Sequence, residues 1–359
     1  MTTPLAALIK NHIRQYGPMD VGEFMALALG HPQHGYYMHQ QPFGADGDFT
    51  TAPEISQMFG EMIGAWAADL WAQMGRPGNL ALVECGPGRG TLMADIMRAT
   101  KSAEGFHAAA QIHLIETSLN LRHQQSQLLA AYKPVWHESL TTLPDDCPVL
   151  VIGNEFLDAL PMRQLQKVQH GWDERVIYLS EDEESFAFGT RPAEADLVSM
   201  VPVHLKFQIG DVFEVGPARR SFARDLADRI KNQGGAALFI DYGPSLSGVG
   251  DTLQAVKSHH YAGVFDDIGL CDLTSHVDFE LLAKALAPDM QVYGPTMQGA
   301  FLKNLGIDQR AAGLMKNASE QQAQDIQTAL KRLCDPDQMG ILFKAIGFCH
   351  DKNLKPAGF

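Results

Sequence analysis

The segment Leu82-Val83-Glu84-Cys85-Gly86-Pro87-Gly88-Arg89-Gly90-Thr91-Leu92 constrains the chain most: an apolar strand, an acid at its end, three alternating glycines, then helix-forming sequence. Glycine is required where a backbone turns sharply out of a strand and a ligand approaches the main chain, because a Cβ would collide there. Arg89 to Arg98 reads as the following helix, whose first N–H groups face the ligand and favour an anionic group such as a carboxylate. Strand, glycine turn and helix in this order describe a nucleotide-type cofactor site.

Spacing separates the two cofactor classes that compete for such a turn. Nicotinamide and flavin sites read G-x-G-x-x-G, with an acid about 20 residues further on. Here the pattern is E-x-G-x-G-x-G, and Thr91 stands where the third glycine of a dinucleotide site belongs. That favours S-adenosylmethionine, with Glu84, Gly86, Gly88 and Gly90 as cofactor-binding candidates. The next strand, Gln111 to Ile115, ends at Glu116, whose carboxylate can accept from both hydroxyls of a ribose. Alternatively, Glu116 caps the following helix together with Thr117 and Ser118.

Composition removes other classes. A chain of 359 residues with 45% hydrophobic content builds a sizeable core, and its net charge of −14 with no basic run argues against a nucleic-acid partner. Five scattered cysteines, none in a C-x-x-C pair, suggest neither disulfides nor zinc, and no metal site is expected. No apolar run reaches the roughly 18 residues of a membrane span. Residues 1–19 carry Lys10, Arg14 and no acid, as a transit peptide does, but Leu5, Leu8, Ile9 and Ile13 are spaced as in an ordinary amphipathic helix. The expected location is therefore cytosolic.

Two short helices are predicted over residues 4–30, broken at Gly17-Pro18, with Asp20 and Glu23 as a capping pair. After a loop rich in glycine and aromatics, Pro53 to Trp71 places Ile55, Met58, Phe59, Met62, Ile63, Trp66 and Leu70 at helical spacing. From residue 80 strands and helices alternate: strands at 80–85, 112–116, near Val135 and at 149–153, and helices at 90–103 and 118–131. Residues 162–216 interrupt with short antiparallel strands, after which helix 218–231, strand 236–240, helix 276–287, a strand near Val292, further helices to about 333 and a last strand at 341–346 complete the pattern. Alternation of this kind implies a parallel, doubly wound α/β sheet, with ligands beyond the carboxyl ends of the strands. Glu84, Glu116, Asn154-Glu155 and Asp241 fall at such ends.

The blocks Gly47 to Glu61, Glu84 to Leu92, Asn154 to Pro161, Ile240 to Gly243, Gly250 to Ala255 and Asp272 to Phe279 together resemble the MidA family, whose mitochondrial members are arginine methyltransferases that assist assembly of respiratory complex I. Departures are small: Gly216 stands where the family usually has serine, and Leu270 and Cys271 replace its usual acid and alanine. The resemblance implies a Rossmann-like class I methyltransferase sheet ending in a reversed pair of strands, with S-adenosyl-L-methionine as cofactor. On that frame residues 1–74 are expected to form an N-terminal helical cap, and residues 75–359 the core, with inserted β and helical segments at about 162–216 and 297–335. A protein substrate like the 49-kDa-type subunit of complex I is implied; a homodimer is left open by the sequence.

An arginine acceptor is chemically demanding. Its guanidinium stays protonated, so carboxylates must pin its fork and draw charge away from the attacking nitrogen. Glu155 is the expected clamp, or else a structural ion pair; Asn154 orients it, and Asp158 is a second clamp or a helix N-cap. Asp241 and His276 are candidate proton acceptors, unless they merely end a strand and begin a helix. The loop Asp48-Phe49-Thr50-Thr51 precedes a helix and is expected to close over the cofactor; alternatively Thr50, Thr51 and Glu54 form only a helix cap. Two other readings compete: an assembly chaperone that binds S-adenosylmethionine without turnover, and a methyltransferase acting on a small molecule.

Overall fold

The computed structural model describes residues 3–39 and 51–359. The strand–helix alternation after residue 80 closes into one seven-stranded sheet, built from β1 (Leu80–Cys85), β2 (Ala110–Ile115), β3 (Val135–His137), β4 (Val149–Asn154), β5 (Gly235–Tyr242), β6 (Gln291–Met297) and β7 (Phe343–Cys349). Their spatial order is β6-β7-β5-β4-β1-β2-β3. β1 pairs in parallel with β2 and β4, β4 with β5, and β2 with β3. β7 is antiparallel to both β5 and β6. Of the reversed ending expected from the sequence, only β7 therefore runs against the other strands. β1 and β4 are buried at every position, as strands covered on both faces must be.

The chain divides into two compact units, and this sheet belongs to the one comprising described residues 51–157, 223–245 and 277–359. Its core joins Leu80 and Leu82 of β1, Leu150 and Ile152 of β4 and Leu238 of β5 to the apolar stripe Met58, Phe59, Ile63, Trp66 and Leu70. That stripe lies on helix Gln57–Gln73, preceded by a separate turn of helix at Ala52–Ile55. The break in the expected continuous helix is Ser56, which is extended and whose side chain accepts from the Met58 amide. Glu61 on the same helix receives Arg98 at 2.7 Å and both arms of Arg310 at 2.7 and 2.9 Å, tying helices Thr91–Ala99 and Ile307–Met315 to it. Burial would raise this carboxyl, but hydrogen bonds from Arg310 and Arg98 hold it below the usual range.

Lys344 enters β7 with its ammonium group turned inward and buried. Nζ donates to the carbonyls of Gly243 (2.7 Å), Ile341 (2.6 Å) and Leu342 (3.0 Å), and burial lowers its pKa.

The other unit holds described residues 3–39, 158–222 and 246–276. Helices Pro4–Tyr16 and Val21–Gly30 are separated at Gly17-Pro18, and Asp20 caps the second by accepting from the Glu23 amide. Strands Met19–Asp20, Arg163–Val168, Gly171–Leu179, Phe186–Pro192 and Val212–Val215 form an antiparallel sheet, and Gln254–Lys257, His260–Ala262 and Asp272–Thr274 a smaller one. Leu5, Ile9 and Phe24 of the helices pack with Ile177, Ala255 and Leu273 of these strands. Buried Glu174 is held by Arg163 and, at 2.9 Å, by Arg191.

Helix Pro217–Gln233 of the chain ends at paired glycines that test the tightness of the sheet. Gly234 and Gly235 are both left-handed, with φ of +83° and +114°; a Cβ at Gly234 meets nothing within 4 Å, whereas one at Gly235 would lie 1.9 Å from the Val149 carbonyl oxygen. Gly234→Ala is expected to lower unfolding free energy by only about 1 kcal/mol, the ordinary penalty for alanine in this conformation. Gly235→Ala adds a backbone collision between β4 and β5 and should cost about 3 kcal/mol or more. Denaturant titration of the two variants distinguishes these values.

Candidate cofactor and acceptor site

At the carboxyl end of β1 the chain makes the turn that the glycines require. Gly86, Gly88 and Gly90 all have positive φ (63°, 52° and 89°), and a Cβ on Gly86 would press against the Phe156 ring at 3.1 Å. The Gly86 amide donates to the Ile115 carbonyl at the end of β2 (3.1 Å), and the Gly90 amide closes the turn on Pro87 (2.7 Å). The following helix begins at Thr91, two residues later than expected, because Gly88 and Gly90 are left-handed. Gly90 is its N-cap and offers no side chain, so the first-turn amides must find other acceptors.

Glu54 holds this turn from the side. Its carboxylate takes both arms of Arg89 and, at 2.7 Å, the Thr91 hydroxyl. Thr51 is the N-cap of its short helix but makes no side-chain cap bond, so Glu54 fastens the glycine turn and does not complete a capping box. Nothing in the local pattern around residue 54 signals that partnership; it joins segments 35 residues apart or more.

Two buried carboxylates flank the glycine turn. Glu84 is 3% exposed and accepts from the Met93 amide, while its Oε2 is buried without a hydrogen-bond partner. Burial, with nearby Glu116 adding to it against the Met93 bond, raises its pKa to about 8. Glu116 follows β2 directly and is 8% exposed. Its Oε1 accepts from the Ser118 amide (2.8 Å) and its Oε2 from the Gln125 amide group (3.3 Å). Burial raises its pKa too, opposed by those bonds. Ser118 is the N-cap of helix Leu119–Leu128, so Glu116 supports the turn ahead of that cap. An orphaned carboxylate oxygen beside a left-handed glycine turn fits a ligand rich in donors and positive charge, as S-adenosylmethionine is with its amino group, hydroxyls and sulfonium.

Gln125 escaped the sequence reading. It is fully buried, donates to the Gly88 carbonyl at 2.7 Å and accepts from the Trp136 indole at 2.8 Å.

Beyond β4 lies the second group of candidates. Glu155 has φ +51°, a left-handed conformation that a non-glycine residue adopts under strain. Its amide donates to Ile240 (2.9 Å), and its Oε1 accepts from the Asn154 side chain (3.1 Å) and the Ala52 amide (3.3 Å). Asn154 Oδ1 is buried without a hydrogen-bond partner. Asp241, at 1% exposure, uses Oδ2 on the Leu157 amide (2.8 Å) and Oδ1 on its neighbour Tyr242 (2.9 Å), which locks the strained turn in place. These bonds favour its structural role.

Asp158 and His276 belong to the other unit. No helix follows Asp158, which removes the N-cap reading; its carbonyl accepts from the Ser275 amide and from Arg219, both at 3.2 Å. His276 does not start a helix either, since that helix begins at Phe279 with Asp278 as N-cap. The His276 amide donates to the Thr252 hydroxyl (2.9 Å), and its carbonyl accepts from Arg219 (2.7 Å). Asp48, Phe49 and Thr50 lie outside the described residues. Among the described residues no cluster of His, Cys, Asp and Glu could hold a metal ion, and no helix is long and apolar enough to cross a membrane.

A seven-stranded sheet with one reversed strand, and a glycine turn flanked by buried acids at its carboxyl edge, define an S-adenosylmethionine-dependent methyltransferase of class I. Comparison with known proteins gives the family: residues 62–296 match "Putative S-adenosyl-L-methionine-dependent methyltransferase", and the chain belongs to it. The chain is 34% identical to protein arginine methyltransferase NDUFAF7, mitochondrial, of Xenopus laevis, over 96% of this chain and 84% of the relative. The Caenorhabditis elegans homologue is 32% identical, over 100% of this chain and 91% of the relative. A crystal structure from Burkholderia thailandensis with S-adenosyl-homocysteine bound superposes with a TM-score of 0.86 at 28% identity, covering 99% of this chain and 93% of that one. The enzyme class, the cofactor and the resemblance to the MidA family thus hold. The cytosolic location expected from composition is overturned, because the curated relatives are named mitochondrial.

Glu84 carries a pH signature. Its folded pKa, about 8, lies above the ordinary 4.5, so the folded state holds the proton more tightly than the unfolded chain. The stability it contributes is complete below about pH 4.5 and is lost as pH rises through 8. Glu84→Gln removes that loss. In the ligand-free protein the variant's stability relative to wild type should climb steadily between those pH values, as read by denaturant titrations at several pH values.

Proposed function

We propose that this methyltransferase acts on an arginine of a protein substrate, with Glu155 as the guanidinium clamp. The observation that carries the reading is the strained Asn154-Glu155 turn at the carboxyl end of β4, where a left-handed backbone is held by Ile240, Asp241 and Ala52. Strain maintained by so many bonds is typical of a residue whose direction matters to chemistry. The names of the relatives, arginine methyltransferases over nearly the whole chain, support the choice of acceptor.

S-adenosylmethionine, when bound, supplies an electrophilic methyl group on a sulfonium. Glu84, Gly86, Gly88, Gly90 and Glu116 would hold it by carboxylate acceptors and close backbone approach, with Asp48, Phe49 and Thr50 as further candidates. Glu155 would accept from two guanidinium N–H groups and Asn154 would fix the carboxylate's direction. Localising positive charge on the clamped side of the fork frees electron density at the remaining nitrogen, which forms the new N–C bond as the S–C bond breaks. The proton displaced from that nitrogen would pass to solvent water, leaving methylarginine and S-adenosylhomocysteine. The resemblance to the MidA family favours, as target, a protein like the 49-kDa-type subunit of respiratory complex I.

Glu155→Gln keeps an oxygen acceptor for Ala52 N–H and removes the charge. Turnover on recombinant 49-kDa-type subunit, measured with labelled S-adenosylmethionine and methylarginine analysis, should fall by roughly two orders of magnitude or more, the usual worth of charge placed at a reacting group. Affinity for S-adenosylhomocysteine should stay within about twofold. Methylation at the wild-type rate would remove Glu155 from the mechanism, and wild-type protein that methylates no polypeptide of a cell extract would overturn the protein-arginine reading.

A further inference from the structure

We propose that Gln125 is the positioning residue of the cofactor site: it sets the glycine turn and the Glu116 carboxylate as one unit, oriented by Trp136. The inference rests on the reading above of the glycine turn and Glu116 as cofactor ligands. It concerns a residue that no motif singles out, in a helix that is otherwise polar and largely open to solvent.

What each partner can donate or accept fixes the orientation of the Gln125 amide. The Trp136 indole nitrogen is a donor only, so its 2.8 Å bond requires the Gln125 amide oxygen on that side. The amide nitrogen then has no choice but to face the other way. There it meets two acceptors, the Gly88 carbonyl at 2.7 Å and Glu116 Oε2 at 3.3 Å. Flipping the amide would set N–H against N–H at Trp136, and oxygen against oxygen at Gly88 and Glu116. With Gln125 fully buried, none of these mismatches is relieved by water.

The three partners come from different elements: the turn after β1, the residue after β2, and β3 itself. Gln125 is therefore where the directions of the turn and of the carboxylate are made dependent on each other. The side chain also lies close to Gly90, whose hypothetical Cβ would be 3.5 Å from Gln125 Cγ and 3.7 Å from its Cα. Gln125 thus bonds one glycine of the turn's distal half and, together with Leu129, whose Cδ1 would be 3.4 Å from that Cβ, packs against the other. By donating to Glu116, Gln125 favours its ionised form, the better acceptor for a ligand hydroxyl.

The test uses the full-length protein and S-adenosylhomocysteine as probe, by calorimetry, with melting temperature recorded in parallel. Gln125→Met keeps the length of the side chain and removes all three polar contacts; the Kd should rise about tenfold or more. Trp136→Phe removes only the orienting donor and should raise the Kd about threefold. Added to Gln125→Met it should raise it no further, because the indole acts through the amide. In Gln125→Met the loss of binding on acidification should also set in at higher pH, since Glu116 loses a donor to its charged form. A lowered melting temperature with unchanged Kd, or independent effects of the two substitutions, would reduce Gln125 to a packing residue and overturn the inference. If Gln125→Met fails to fold, Trp136→Phe alone decides, and an unchanged Kd refutes it. Gly88→Val separates the two levels: binding retained in that variant sinks the cofactor-site reading itself, whereas binding lost there but intact in Gln125→Met sinks only the role of Gln125.

Discussion

Placing carboxylates at the dry carboxyl edge of a parallel sheet is the constraint around which the rest of the molecule is arranged. Glu84, Glu116 and Asp241 lie within one residue of the carboxyl ends of their strands and are all less than 9% exposed. Such a group either finds donors for its oxygens or holds its proton more tightly. The three are satisfied to different degrees. Asp241 uses both oxygens on backbone amides, Glu116 uses one on an amide and one on Gln125, and Glu84 leaves one buried oxygen without a partner. This gradient parallels the roles proposed above: the satisfied acid holds a turn, and the unsatisfied one is the proposed ligand acceptor.

The strained turn after β4 depends on the same device. Glu155 could not remain left-handed unless its neighbours were fixed, and Asp241 fixes them from the next strand through the Leu157 amide. The Glu155 carboxylate in turn touches the Ala52 amide, at the start of the short helix whose Glu54 fastens the glycine turn. One short helix therefore connects both halves of the proposed site. A change at Glu54 would be felt at the glycine turn through Arg89 and Thr91, although residue 54 bears no cofactor motif.

The strands were legible because each is a short apolar run bounded by turn residues, and the observed β1, β4 and β5 begin and end within about two residues of expectation. Helix starts were less legible. The helix after the glycine turn begins late because two glycines are left-handed, and the one expected at His276 begins at Phe279 because Asp278, not His276, offers the capping oxygen. The proposed site was legible where chemistry and chain proximity coincide, as in the glycine turn and in Asn154-Glu155. It was illegible where a polar side chain serves a partner far along the chain: Gln125 reaches back 37 residues to Gly88, and Arg310 reaches 249 residues to Glu61. No local period records such pairings. Cellular address was misread for a different reason, since net charge and apolar spacing describe how a chain folds and dissolves, not which compartment receives it.

Lys344 shows how the sheet accommodates a strand running against its neighbours. Where β7 begins, three carbonyls converge from Gly243, Ile341 and Leu342, and the ammonium group directs one hydrogen at each. It acts as a small internal counter-ion for three backbone dipoles. An ammonium can do this because its hydrogens are arranged tetrahedrally and rotate freely about the stem, while a guanidinium is flat and sends its donors outward in one plane. Arginine at position 344 would thus preserve the charge and still leave carbonyls unserved, so the start of the last strand is matched to the shape of a cation as well as to its sign.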